Sequence, residues 1–152
     1  MSLRRLSGTE LVAVAGGLLL AVGLFLDWYR LANPRVTLNG VDGPAVVSGW
    51  EAHDVQRFLL LAAAVAPLIL AYIIVRGHHL SWARGEMTAV VAIAALGLVL
   101  YAGVIDRPGA PQSLISLRFG WFVALLGVLL MLVGSALRAS STERPRKPPG
   151  VL

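Results

Sequence analysis

A histidine beside carboxylates can hold a divalent metal or move a proton, and this chain has that combination at Glu51, His53 and Asp54. The same residues have a simpler use. Ser48-Gly49-Trp50-Glu51 has the Ser-x-x-Glu form of a capping box, and carboxylates near a helix start are favoured by the unpaired amides there. The expectation is therefore that Glu51 and Asp54 serve a helix end, that no metal binds, and that no residue here is catalytic. His78 and His79 lie in a different loop and are expected to be solvated. Glu86, with Arg84 beside it, reads as an interfacial ion pair. The absence of cysteine excludes disulfides, thiol redox chemistry and Cys-ligated metals. No nucleophile–base pair or metal-ligand set converges on one side, so the chain is read as not an enzyme and as having no cofactor.

The elements that must carry these residues follow from composition. The chain is 57% hydrophobic and 14% charged, against about 25% charged in a soluble domain. Its apolar residues form long runs, which a domain of 152 residues has too little interior to hide. A membrane-spanning helix needs about 20 mostly apolar residues. Four segments qualify, at about residues 8–28, 57–75, 86–105 and 119–137. Each apolar side chain favours insertion by about 0.3–0.6 kcal/mol, and no span carries a central charge to oppose it. The predicted fold is an all-α membrane protein. It is a four-transmembrane-helix up-down bundle over residues 1–138, followed by a disordered, proline-rich cytoplasmic tail at 139–152.

Local signals mark the ends of these spans. Ser7-Gly8-Thr9-Glu10 is a second capping box, at the start of the first helix; the one at Ser48 and Glu51 predicts that the second helix starts near Gly49. Trp28, Tyr29, Trp50, Trp82, Tyr101 and Trp121 lie near span ends, where an interfacial aromatic belt is expected. The external loop, 29–56, holds Asn39-Gly40 between β-favouring residues, which predicts a short β-hairpin resting on the helix ends or on a partner. Pro67, in the middle of the second span, predicts a packed kink.

Basic residues set the orientation. With the N-terminus inside, the cytoplasmic set is Arg4, Arg5, Arg76, Arg84, Arg138, Arg144, Arg146 and Lys147, against Arg30, Arg35, Arg57, Arg107 and Arg118 outside. The expected localisation is the plasma membrane, multi-pass, with both termini cytoplasmic. Arg4-Arg5 and the apolar run after it also have the outline of a secretory signal, but no small-x-small cleavage site follows, so the run is read as a span. The net charge of +5 is spread over both ends and every loop, which argues against nucleic acid and makes the lipid bilayer the expected partner.

Glycine spacing predicts how the helices pack. Gly120, Gly127 and Gly134 recur every seven residues in the fourth span, and Gly16 and Gly23 share that interval in the first. Small residues repeated along one face let helix backbones approach closely in lipid. The favoured reading sets helix one against helix four within one bundle; the other is a seam between copies, a homo-oligomer.

Asp27-Trp28-Tyr29 after the first helix, Ser48-Gly49-Trp50-Glu51-Ala52 before the second, and the tail Arg144-Pro-Arg-Lys-Pro-Pro-Gly150 together resemble small uncharacterised four-span membrane proteins of actinobacteria. The resemblance covers most of the chain and implies no known activity. Twelve arginines to one lysine is likewise the usage of a GC-rich bacterial genome. None of the four helix centres carries an ionisable residue, which disfavours a proton-coupled carrier or a charged pore. The functional expectation is a structural or accessory component of a larger membrane assembly, with a membrane-protein partner. The alternative is a small-molecule or lipid-binding module, or a transporter, with an apolar cavity near the external face. A deep cavity lined by Trp50, Tyr101 and Trp121 would favour the alternative, and a close-packed bundle the first.

Overall fold

The computed structural model of the chain describes residues 6–76 and 85–141. Arg4, Arg5, His78, His79, Trp82, Arg84 and the tail beyond Ser141 lie outside the described residues. Four helices are long and apolar enough to cross a membrane, which at about 1.5 Å per residue needs some 20 residues. They are α1 (Gly8–Phe25), α3 (Gln56–Arg76), α4 (Glu86–Leu100) with the π turn Tyr101–Ile105 that extends it, and α5 (Phe119–Ser141). A fifth helix, α2 (Gly49–Ala52), is a single turn. Between the helices run β1 (Asp27–Leu31), β2 (Thr37–Leu38), β3 (Val41–Asp42), β4 (Ala45–Ser48) and β5 (Ile115–Leu117).

Both capping boxes are formed. The Glu10 amide donates to Ser7 Oγ at 3.3 Å and the Ser7 amide donates to Glu10 Oε2 at 2.7 Å, which satisfies amides that the first turn of α1 leaves over. Ser48 and Glu51 do the same for α2, at 3.2 and 3.0 Å. The second helix, however, does not run on from Gly49. His53 is extended (φ −130°, ψ 115°), and α3 begins anew at Gln56. The interruption turns the His53 side chain inward, where it meets Tyr29.

The long helices form an antiparallel ring in which α1 packs on α5 and α3, and α4 closes against α5 and α3. The α1–α5 seam is made by glycine. A Cβ on Gly16 would sit 2.5 Å from the Met131 amide nitrogen, and one on Gly127 would sit 2.5 Å from that of Leu20. Gly23 lies as tightly on Ala124, Gly134 on Thr9 and Ala13, and Gly120 on Leu26 and Asp27. Gly16, Gly23, Gly127 and Gly134 thus face the partner helix of the same chain, and Gly120 faces the residues just past the end of α1. On the other side of α1, Gly17 receives the ring of Pro67, so the mid-helix proline of α3 fills a notch in its neighbour.

One end of the bundle is closed by sheet. The strand order is β4-β1-β5, all antiparallel, with Tyr29 opposite Val47 and Leu117, and Leu31 opposite Ala45 and Ile115. β2 and β3 form the hairpin anticipated at Asn39-Gly40, both residues at positive φ (46° and 82°) as a type I′ turn requires. Asn39 also ties the hairpin tip to α2 and its exit, donating to the Glu51 carbonyl at 2.8 Å and to Asp54 Oδ1 at 3.0 Å. The second connection joins in through β5 and through a bridge between Thr37 and Ala110. The cap is therefore one structure built from both connections at this end, larger than a lone hairpin.

The core runs without a break from this cap into the bundle: Trp28, Tyr29, Leu31, Val36, Leu38 and Ile115 above, then Leu20, Leu24, Leu60, Val99, Val128 and Met131. Three tryptophan and tyrosine positions expected at the lipid interface belong to this core. Trp28 and Tyr29 are fully buried in β1, and Trp121 is buried against Gly103. α1 stops at Phe25, and β1 pairs on both edges with a register irregularity between Asp27 and Tyr29, so that Trp28 and Tyr29 both lie within the cap.

Candidate functional site

The residues that could do chemistry meet in two places. At the sheet end, the Tyr29 hydroxyl lies 3.0 Å from His53 Nε2 and donates to the Ala102 carbonyl at 3.0 Å. β1 supplies the tyrosine, the α2–α3 break supplies the histidine, and the π turn after α4 presents the carbonyl. Trp28 packs edge-on against the imidazole, its ring centroid 5.8 Å away, and anchors itself by donating Nε1–H to the Gly23 carbonyl at 2.7 Å.

A phenol has one proton to donate. Since Tyr29 gives it to Ala102, the bond to His53 requires Nε2–H as donor. Burial pushes the imidazole down to about 4, against a smaller opposite effect of Asp54, so at neutral pH it is uncharged and in the Nε2–H tautomer. Burial also raises the Tyr29 phenol, with the Arg107 guanidinium acting weakly against it. Arg107 is held in turn by the Gly103 and Ile115 carbonyls at 2.9 and 2.8 Å. The imidazole Nε2–H and the phenol proton are thus both committed to hydrogen bonds. The arrangement pins three elements together.

Glu51 and Asp54 do not join His53. The Glu51 carboxylate is engaged by the Ser48 amide and hydroxyl, which hold it below the ordinary range, and Asp54 receives Asn39. Among the described residues, no three His, Cys, Asp or Glu side chains come close enough to hold a metal ion.

The aromatic positions also diverge. Trp121 fills the space over Gly103 and donates to the Val99 carbonyl at 2.9 Å. Trp50 stacks on Phe25 with ring centroids 5.1 Å apart, and the Arg57 guanidinium lies over Trp50 and Phe58. Tyr101 faces outward and bonds Asp106 at 3.1 Å. The three do not enclose a common cavity. The sheet end instead carries two open grooves of about 300 Å³, one along Arg30, Pro44 and Val46 and one between Phe25, Asp27, Arg118 and Phe119.

The second place is the opposite end of the bundle, where Glu10 of α1 meets Arg138 of α5, Oε1 to Nε 3.2 Å. The sequence assigns Glu10 only a capping role. Its two oxygens divide the work: Oε2 caps and Oε1 faces the arginine. The signal that could have found this pair is one carboxylate and one arginine at the outer limits of two spans that the glycine spacing already sets side by side.

No family model, curated protein or solved structure matches this chain. The class of molecule is therefore stated from its own architecture: a bundle of four membrane-length helices closed at one end by a small antiparallel sheet.

Proposed function

We propose that this chain is a multi-pass protein of a bacterial plasma membrane, with both termini cytoplasmic, that serves as a structural or accessory component of a larger membrane assembly. The observation that carries this reading is the way polar and aromatic groups are used at the sheet end. Tyr29, His53, Trp28 and Arg107 are all engaged in holding the cap to the helices, and Trp121 ties α5 to α4 beside it. With the α1–α5 backbones in contact, this supports a rigid scaffold more than a carrier that must open and close. The chain is read as non-enzymatic and as needing no cofactor. The five seam glycines are occupied within the chain, so a partner would meet other surfaces.

The grooves at the sheet end favour a second reading, a lipid-binding module, because Phe25 and Phe119 expose apolar rings beside Arg118. Native mass spectrometry after mild detergent extraction separates the two. The first reading expects the 16.1 kDa chain within a defined heteromeric complex. A monomer carrying one stoichiometric lipid or small molecule would establish the second in its place.

A further inference from the structure

The helices line a small cavity of about 10 Å³ where α1 begins and α5 ends, mostly apolar in its walls but with a few polar groups on one side. Glu10, Gly85, Ser135 and Arg138 line its polar side, and Pro67 and Leu70 of α3 close it. Gly85 is at φ +101° and sits so close to α5 that a Cβ there would lie 2.7 Å from the Ser135 carbonyl oxygen. The start of α4 is thus part of the wall.

Two atoms in this wall lack a hydrogen-bond partner. Ser135 is only 2% exposed, and its hydroxyl makes no bond. A serine inside a helix commonly satisfies itself on the carbonyl four residues back; Ser135 does not. Glu10 is 5% exposed, and its Oε1 faces Arg138 at 3.2 Å without the geometry of a hydrogen bond. Buried polar atoms in this position are normally met by an ordered water.

Size and charge narrow the occupant. A cavity of this volume holds about one water-sized molecule. A cation is disfavoured because Arg138 already supplies the positive charge opposite Glu10, and an anion is repelled by Glu10 itself. What remains is a small neutral molecule that can both donate and accept. We propose that this cavity is a binding site for one water molecule, which donates to Glu10 Oε1 and hydrogen-bonds the Ser135 hydroxyl, joining α1 to α5 beside the ion pair. The helix centres beyond it carry no ionisable group to continue a relay, so the water is a structural ligand of this end of the bundle.

Thermal unfolding of the full chain in detergent, with Ser135→Ala and Ser135→Val, tests this. Alanine leaves room for the water; valine puts a methyl group in its place and strands the Glu10 oxygen. The expected order of Tm is wild type, then S135A, then S135V. An S135V variant as stable as wild type or more so would mean that the cavity is dry and the proposal wrong. Should S135V fail to fold, a high-resolution map of the wild type decides. A density peak within hydrogen-bond reach of Ser135 Oγ and Glu10 Oε1 supports the site, and a featureless cavity overturns it.

Discussion

Tyr29 and His53 share a buried hydrogen bond of 3.0 Å in which the histidine is the donor, because the tyrosine proton is already engaged by the Ala102 carbonyl. This one contact joins the sheet, the break between α2 and α3, and the π turn that ends α4. It makes the cap part of the bundle, where loops lying over the helix ends would not be.

His53 makes stability depend on pH in a definite direction. Its folded value of about 4 lies below the ordinary 6.5, so between these limits the unfolded chain binds the proton and the folded chain does not. The contribution is complete above pH 6.5 and is lost as the pH falls towards 4. The ceiling is about 3 kcal/mol, since a tenfold difference in proton affinity between the two states is worth about 1.4 kcal/mol. Tm measured across this range should fall in the wild type and fall less in His53→Gln, whose amide can still donate to Tyr29. Equal slopes in the two proteins would remove His53 as the cause.

Tyr29→Phe removes a donor and an acceptor without changing the ring. The Ala102 carbonyl and the His53 N–H are then left in an apolar environment, each unmet group costing about 1–3 kcal/mol. Thermal or denaturant unfolding should show a clear loss, and the pH dependence of the remaining stability should change with it. A variant as stable as wild type would show that water replaces the hydroxyl at no cost.

Gly127→Leu should damage the fold itself. Its Cβ would lie 2.5 Å from the Leu20 amide nitrogen and 2.8 Å from the Gly16 carbonyl oxygen, atoms of a helix backbone that cannot move aside alone. Overpacking of this kind costs about 1–3 kcal/mol and sometimes more. Gly97→Leu on α4 is the control, because nothing lies within 4 Å of that position. Thermal stability and elution volume should fail together in the first and persist in the second. A folded Gly127→Leu protein that has only lost an oligomer would place the seam between chains.

The hairpin tip and the end of α5 are the places to read topology. A reporter inserted near Asn39 should report an external position, and fusions after Ser141 and within residues 77–85 a cytoplasmic one. An external signal from the fusion after Ser141 would reverse the arrangement.

What can be read in the chain is what a few consecutive residues decide among themselves. Apolar runs of about 20 residues specify the four long helices, because a backbone among apolar neighbours must satisfy itself within its own turns. Ser7 with Glu10, and Ser48 with Glu51, act across three residues, and Asn39-Gly40 needs only its own two dihedrals. The fate of Trp28, Tyr29 and Trp121 is not legible there. A ring near a helix end suits either a membrane interface or a core. For Trp28 and Tyr29 the choice rests on β1 pairing with β5, whose residues lie more than eighty positions away along the chain, and for Trp121 on the space over Gly103. The role of His53 is hidden for the same reason, since its partner Tyr29 stands 24 residues earlier. The glycine heptads announce a close contact but not with whom. Lipid and protein interior are both apolar, so hydrophobicity cannot say which face of such a helix turns inward. Only the tertiary structure sets Gly16 on Gly127 and Met131, and brings Glu10 to Arg138 at the far end of the same seam.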